Sequence, residues 1–157
     1  MFKTILWATD GSQAADQALP YATALATGSG KKLVVVHCKE FFVGRGGGYP
    51  VLADEGDLQA KIRRQVEEAR AAGIDATFEV VAGPATTAAH RIADAADEVG
   101  ADLLIVGTRG HSPVAGLLLG SVTQRLLHIA HCPVLAIPTH KHPAVEQRDD
   151  VETAVGV

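Results

Sequence analysis

The sequence predicts an α/β protein with a Rossmann-like, three-layer sandwich fold, in which four helices cover both faces of a five-stranded parallel sheet. Two observations predict this class. Short apolar runs rich in Val, Ile and Leu are typical of strands buried on both faces of a parallel sheet. Helical periodicities separate these runs, so strands and helices alternate along the 157 residues, as right-handed crossovers between parallel strands require. If the sheet grows outward from the first strand in both directions, its strand order is 3-2-1-4-5.

Four apolar runs and one alternating segment are predicted to be the five strands. The apolar runs are TILWA at 4–8, KLVVVHC at 32–38, DLLIVG at 102–107 and PVLAIP at 133–138. Segment 76–82, ATFEVVA, alternates apolar and polar residues more strongly. That alternation predicts a half-exposed strand near an edge of the sheet.

Four helices are predicted from apolar residues that recur at intervals of three and four. They cover 12–27, 57–72, 85–99 and 121–131, and glycines closely follow the first three, as at helix ends. Pro20 is expected to kink the first helix or to shift its start. In the last helix, Ser121 is predicted to be the N-cap.

The Gly-rich segment 39–56 is predicted to be an irregular connection. Its GRGGG stretch at 44–48 does not fit the dinucleotide-binding pattern G-x-G-x-x-G, because the third glycine would fall on Tyr49 and no helical periodicity begins there. We therefore expect a flexible loop.

Length and composition fit one domain over 1–138, followed by a polar tail over 139–157 that is expected to be flexible. The net charge of -4 and the lack of Lys or Arg runs longer than two argue against nucleic acid and anionic membranes as partners. The N-terminal apolar stretch is too short for a signal peptide or a membrane span, and the two cysteines lack a paired spacing. We expect a cytoplasmic protein with free thiols.

A ligand crevice is expected where the strand order reverses, between the carboxyl ends of strands one and four. The residues that leave these strands are Thr9-Asp10-Gly11-Ser12 and Gly107-Thr108-Arg109-Gly110. The second group begins the spacing G-x2-G-x9-G-S, which ends at Gly120 and Ser121.

This spacing has the chemistry of a phosphate site. Glycines lack a Cβ, so their backbone can adopt positive φ and approach a ligand closely. The helix that starts at 121 offers unpaired backbone N–H groups at Ser121 and Val122 to a phosphate. Turn glycines with a serine N-cap and no ligand fit the same pattern. A Walker A loop does not, because no Lys precedes Ser121.

Several residues keep two interpretations. Asp10 either contacts a ligand opposite the glycines or caps the following helix, and Cys38 either contacts a base or packs in the core. Potential metal ligands near the last strand are spread over a helix, a strand and the tail, which favours a surface cluster over a metal site. They are His128, His131, Cys132, His140 and His142. No motif of a catalytic nucleophile is present, so no catalytic residue is predicted.

Five stretches together resemble the universal stress protein family. They are KTILWATDGS at 3–12, VVVHC at 34–38, ADLLIVGTRG at 101–110, LLLGSVTQRLL at 117–127 and HCPVLAIP at 131–138. The resemblance covers about residues 2 to 138 in the right order. The spacing G-x2-G-x9-G-S is the signature of the family's ATP-binding branch.

The resemblance implies an adenine-nucleotide site. It places Asp10 at the ribose and phosphates and Cys38 at the adenine. Backbone contacts are implied at Ala8, Thr9 and Gly11, adenine and ribose contacts at Val106 and Gly107, and phosphate contacts at Arg109, Gly110, Gly120, Ser121 and Val122. Thr108, His111 and Ser112, in the same loop, complete the predicted site.

The resemblance further implies ATP accompanied by Mg²⁺, a homodimer paired through the 133–138 strand, and a stress-response or signalling role in which the nucleotide is a conformational ligand. Many family members carry a Lys or Arg between the second and third glycines. This chain has only His111 as a possible cation there, which favours AMP or cyclic AMP as an alternative. A slow adenine-nucleotide hydrolase, in which Asp10 places metal or water, is another alternative. A ligand-free interaction protein is the last.

Overall fold

A mostly parallel β-sheet forms the centre of the protein, whose computed structural model describes residues 1–109 and 119–139. The strands are β1 (Thr4–Ala8), β2 (Lys32–Gly44), β3 (Gly47–Pro50), β4 (Ala76–Pro84), β5 (Leu103–Gly107) and β6 (Val134–Ile137). The continuous path through the sheet is β3-β2-β1-β5-β6, and β4 pairs with β2 off this path. β3 is antiparallel to β2, whereas the other pairings are parallel.

The prediction of five strands in a wholly parallel sheet is wrong, because the sheet has six strands in the order given above. The sixth strand comes from the segment predicted to be an irregular connection. β2 continues to Gly44 and turns back into β3, so GRGGG is the turn of a β-hairpin. The Tyr49 side chain lies against Gly44 and Gly46, and a Cβ on Gly46 would stand 2.8 Å from the Tyr49 hydroxyl.

The register of β2 fixes where the hairpin lies. Phe41 pairs with Pro50 of β3 and also with Pro84 of β4, so β3 and β4 flank β2 on opposite sides. β3 therefore lies on the side of β2 that also pairs with β1. The β1 pairing ends at Ala8 opposite Val36. The hairpin thus extends the sheet beyond the carboxyl end of β1.

The helices are α1 (Gln13–Asp16), α2 (Leu19–Ala26), α3 (Glu55–Ala71), α4 (Ala88–Glu98) and α5 (Ser121–Ile129), with a 3₁₀ turn at Ala85–Thr87 before α4. The single helix predicted over 12–27 is two helices, and Pro20 lies in the first turn of the second, which confirms that it shifts a helix start. The predicted N-cap of α5 is wrong by one residue. Gly120 is the N-cap and Ser121 is the first helical residue.

Two apolar layers sandwich the sheet because side chains alternate along each strand. Ile5, Trp7 and Val35 pack with α2 and α3, whereas Leu6 and Val34 pack with α4 and α5. All five are buried, which confirms enclosure on both faces for β1 and the first half of β2. The prediction does not hold for β6, where only Ile137 is buried. In the described part of the chain, no helix is long and apolar enough to cross a membrane.

Candidate functional site

A cavity of about 630 Å³ lies at the carboxyl ends of β1, β2 and β5, on the face of the sheet covered by α4 and α5. Its position is the switch point where ligands bind open α/β sheets, and its volume suits a small molecule. Ten of the predicted site residues line it: Ala8, Thr9, Asp10, Cys38, Val106, Gly107, Arg109, Gly120, Ser121 and Val122.

The remaining predicted positions fall into two groups. Gly11 and Thr108 lie next to lining residues in the chain but are not part of the wall. Gly110, His111 and Ser112 lie outside the described residues, as does the predicted tail beyond Thr139. The structure therefore brings the two sides of the predicted crevice together.

The Asp10 carboxylate organises the turn after β1. Its Oδ1 accepts hydrogen bonds from the backbone N–H of Ser12 at 3.0 Å and from the Ser12 hydroxyl at 2.5 Å. The Ser12 Oγ in turn accepts from the N–H of Ala15 at 3.1 Å, so Ser12 is the N-cap of α1. The interpretation of Asp10 as the helix cap is therefore wrong. Asp10 orients the capping serine and lines the cavity.

The same turn is tied to α3. Gly11 has a φ of +73°, a conformation that side-chain-bearing residues rarely adopt, and a Cβ there would collide with Leu58. The Lys61 ammonium donates to the Gly11 carbonyl at 2.8 Å and pairs with Asp16 at 2.5 Å. Contacts with α3 therefore fix the position of the loop that carries Asp10.

The glycine at the end of β5 serves a close approach between chain segments. A Cβ on Gly107 would stand 3.1 Å from the Ala14 carbonyl oxygen and 3.3 Å from the Ala15 Cα, so α1 passes too near for a side chain. Gly107 is not among the positive-φ glycines, and Gly120 has a φ of -66°. The expectation that positive φ explains these two glycines is wrong.

Two hydrogen bonds fix the start of α5 against the end of β5. The Gly120 N–H donates to the Thr108 carbonyl at 2.7 Å, and the Thr123 hydroxyl donates to the Gly107 carbonyl at 2.7 Å. No side chain of the described residues caps α5. The first N–H groups of the helix, at Ser121 and Val122, precede the intrahelical bonding pattern, and both residues line the cavity.

The buried His37 and the partly buried Glu55 form a pair that the sequence did not single out. His37 is 1% exposed, and its Nδ1 lies 3.0 Å from the Thr9 carbonyl oxygen while its Nε2 lies 2.6 Å from Glu55 Oε1. A carbonyl oxygen only accepts, so Nδ1 must carry a proton. One further proton must then lie between Nε2 and the carboxylate. The histidine inside the apolar run KLVVVHC could have indicated such a pair, because a buried polar side chain needs a hydrogen-bond partner.

Cys38 is a poor nucleophile in this setting. Burial, with a smaller contribution from the nearby Glu40 charge, raises the pKa of its thiol to about 11. The side chain is therefore protonated at neutral pH. It presents a small, nearly apolar surface to the cavity.

Four lining residues come from the hairpin and the segment after it. Glu40 and Phe42 belong to the outer half of β2, and Val51 and Leu52 follow β3. We call these four residues the hairpin wall. Sequence reasoning missed them because the segment was interpreted as an irregular connection.

The histidines near β6 do not form a metal site in the part of the chain the structure describes. His131 is exposed and pairs through Nδ1 with Asp97 at 2.8 Å. Within residues 1–109 and 119–139, no group of three His, Cys, Asp or Glu side chains is arranged to hold a metal ion. His140 and His142 lie outside these ranges.

Comparison with known proteins gives the family. The profile of the Universal stress protein family matches residues 1–138. This chain belongs to that family. A universal stress protein of Thermus aquaticus, from the 3′ region of a QAH/OAS sulfhydrylase gene, is 35% identical over 144 residues, which is 87% of this chain and 99% of the relative.

Two solved structures of the family carry a nucleotide. A universal stress protein in complex with cAMP is 30% identical, covers 88% of this chain and 98% of its own, and superposes with a TM-score of 0.65. The universal stress protein from Archaeoglobus fulgidus in complex with dAMP is 26% identical, with 87% and 98% covered and a TM-score of 0.61. Nucleotides thus bind to relatives of this fold.

Proposed function

We propose that this chain is a nucleotide-binding universal stress protein of the ATP-binding branch, with an adenine nucleotide in the cavity at the switch point. The observation that carries the proposal is the convergence of the Asp10 turn and the start of α5, whose N-cap is Gly120, on one cavity. Such a helix start favours phosphate through its N–H groups and its dipole. The relatives with cAMP and dAMP support the adenine nucleotide as the ligand class.

In one orientation of the nucleotide, the negative phosphates face the positive groups of the cavity. Its phosphates lie at Gly120, Ser121 and Val122, where Arg109 adds a guanidinium that also lines the cavity. The ribose then lies between Asp10 and Gly107, and the base reaches Cys38 in the middle of β2. We call the two parts of the cavity the phosphate end and the base end.

Mg²⁺ would accompany a triphosphate through the phosphates themselves. This ion usually keeps several waters and takes only one or two protein carboxylates. Asp10, beside the phosphate end, can supply one such ligand directly or through water.

A smaller nucleotide is the second candidate, and one observation favours it. Residues 110–120 contain no Lys or Arg. The loop between the glycines therefore offers little positive charge to balance the negative charge of a triphosphate. AMP or cyclic AMP carries fewer charges and needs less compensation.

Calorimetry with ATP, AMP and cyclic AMP tests both candidates. Tightest binding of ATP in Mg²⁺ buffer supports the first, and preference for AMP or cyclic AMP supports the second. The species recovered from the denatured purified protein identifies the ligand independently. Absence of binding heat and of a thermal shift with all three nucleotides would contradict a nucleotide function.

A nucleotide hydrolase is a different class of function and is tested by turnover. Dedicated enzymes commonly exceed about 1 per second. Steady turnover at that rate, lost in Asp10→Ala, would identify an enzyme. We instead expect at most slow hydrolysis, with the nucleotide acting as a conformational ligand in a cytoplasmic stress-response or signalling protein.

A homodimer through β6 is part of the proposal. β6 ends the path of strands, and its four residues would leave an open edge that a second copy can pair. The carbonyls of Pro133 and Ile137 bond to β5, so by alternation Val134 and Ala136 direct their backbone groups to the outer edge.

Ala136→Pro tests this dimer without breaking the β5 ladder. Proline removes an outward N–H, which an edge strand tolerates. We expect monomers by light scattering and an unchanged far-UV spectrum, whereas Ala136→Val keeps the N–H and should remain dimeric. Dimers of Ala136→Pro would contradict pairing through β6.

A further inference from the structure

The outer half of β2 presents one face to the cavity. Successive side chains alternate along a strand, so Cys38, Glu40 and Phe42 lie on the same face, and all three line the cavity. Lys39 and Val43, on the opposite face, do not line it. The base end therefore has a ladder of a thiol, a carboxylate and an aromatic ring, spaced two residues apart.

The hairpin holds this ladder above the site. Because β3 lies beyond the carboxyl end of β1, the hairpin reaches over the edge of the sheet from which Thr9 and Asp10 emerge. Val51 and Leu52, directly after β3, add apolar surface to the same wall. A flat, apolar ligand group bound beside Cys38 would therefore also contact the hairpin wall.

Phe42 is placed as a stacking surface. Its side chain lines the cavity and is nevertheless 59% exposed. Its cross-strand partner Tyr49 lies over Gly44 and Gly46 at the hairpin turn. An aromatic face at the rim of a cavity is complementary to a planar base, and base–aromatic stacking is a strong, sequence-tolerant contact.

Glu40 adds a selective group below this ring. Its side chain is half-buried, and an ionised carboxylate only accepts hydrogen bonds. Glu40 has an interaction of its own within the protein, but two oxygens with about four lone-pair sites leave capacity for another donor. Amino groups on a base edge are donors, so they complement this position.

We propose that Phe42 and Glu40 recognise the base: Phe42 stacks on the base and contributes affinity, whereas Glu40 accepts a hydrogen bond from its exocyclic amino group and determines specificity. The site then selects a purine with an amino substituent over the same purine without one. This inference rests on the proposed nucleotide function and assigns the selectivity to the hairpin.

The test compares ATP with purine riboside 5′-triphosphate, which differs from ATP by lacking the 6-amino group. Calorimetry of the full chain is expected to show ATP binding about tenfold more tightly, since a hydrogen bond to a charged group is worth at least that much. Glu40→Ala should bring the two affinities close together, and Glu40→Gln, which keeps an accepting oxygen, should retain part of the preference.

Phe42→Ala should weaken both nucleotides about tenfold and leave their ratio unchanged, because stacking does not read the amino group. Val43→Ala is the matched control on the opposite face and should change neither affinity. Thermal melts establish that each variant is folded.

The outcomes distinguish failure of the proposed nucleotide function from failure of the roles of Glu40 and Phe42. No binding of either nucleotide by the unaltered chain overturns the proposed function and this inference with it. Binding of both with equal affinity, or a preference that survives Glu40→Ala, overturns the role of Glu40 alone. Unchanged affinities in Phe42→Ala overturn the stacking role.

Discussion

The two ends of the cavity are built from different chemical groups. At the phosphate end, backbone groups dominate: the start of α5 is anchored to the last residues of β5 through Thr108 and Gly107. At the base end, side chains of the hairpin dominate, with Glu40 and Phe42 in the wall. Backbone N–H groups attract any phosphate, whereas side chains distinguish one base from another. The difference implies that affinity and selectivity can be changed separately.

The largest expected effect is at the phosphate end, in Gly120→Val. A branched side chain at the N-cap would occupy the part of the wall nearest the first helical N–H groups, so we expect nucleotide affinity to fall at least about a hundredfold in calorimetry. The backbone at Gly120 has φ -66° and ψ 155°, which any residue can adopt, so the fold should survive.

Gly56→Val is the matched control for this substitution. Gly56 lies in the first turn of α3, and a Cβ there meets nothing within 4 Å. Its nucleotide affinity should equal that of the unaltered chain. Unimpaired binding by Gly120→Val would show that the phosphates do not lie at the start of α5.

His37→Leu should produce the next largest effect, on stability. It leaves Glu55, which is 15% exposed, with the Gln59 amide as a remaining hydrogen-bond donor. Removal of one member of a buried pair costs about 3–5 kcal/mol in unfolding free energy, and we expect a loss near the lower end of that range. Urea denaturation measures this loss. Because two apolar residues avoid the unpaired charge, the double variant His37→Leu/Glu55→Leu should recover at least half of it. A double variant no more stable than the single one would contradict this account of the pair.

Arg109→Gln tests how much the positive charge at the phosphate end contributes to nucleotide affinity. Removing a guanidinium from the phosphate end should weaken ATP about tenfold and cyclic AMP less, because cyclic AMP carries a single phosphate charge. Calorimetry at two salt concentrations measures both losses. Arg125→Gln, on α5 outside this cavity, is the control. Equal losses for both ligands in Arg109→Gln would place Arg109 away from the outer phosphates.

Cys38 should give the smallest effect, a change in labelling rate. With a pKa of about 11, roughly one thiol in ten thousand is ionised at pH 7, and iodoacetamide labelling should accelerate tenfold per pH unit until the pH approaches 11. Bound nucleotide should slow labelling of Cys38 several-fold and leave Cys132, outside the cavity, unchanged. Mass spectrometry of both peptides resolves the two rates. Equal rates at Cys38 with and without nucleotide would place the base elsewhere.

The phosphate end was accessible to sequence reasoning because it follows local rules. Buried strands appear as apolar runs, and the switch point follows from topology, so the order of residues alone places Asp10, Gly107 and Gly120 at the crevice. Their exact roles were less accessible. That Ser12 rather than Asp10 caps α1 depends on where the helix begins, which the apolar periodicity does not fix to a single residue. That Gly107 serves the passage of α1 depends on packing between distant segments.

The base end could not be predicted from the sequence because it depends on contacts between strands rather than on local rules. GRGGG has the composition of a loop, but in the hairpin Tyr49 packs on Gly44 and Gly46 and Phe41 packs on Gly48, from opposite faces of the two strands. Such cross-strand contacts depend on register, which composition does not encode. Glu40 and Phe42 belong to one wall only because β2 continues past Cys38, which composition does not indicate.

Trp7 can serve as an intrinsic fluorescence probe of movement in the sheet. It is the single tryptophan of the chain, it is fully buried, and its indole faces the layer of α2 and α3, across the sheet from the cavity. A nucleotide cannot quench its emission by direct contact from the other face. A change in tryptophan fluorescence on adding ATP would therefore report movement transmitted through the sheet itself, and a constant spectrum would confine the response to the side of α4 and α5.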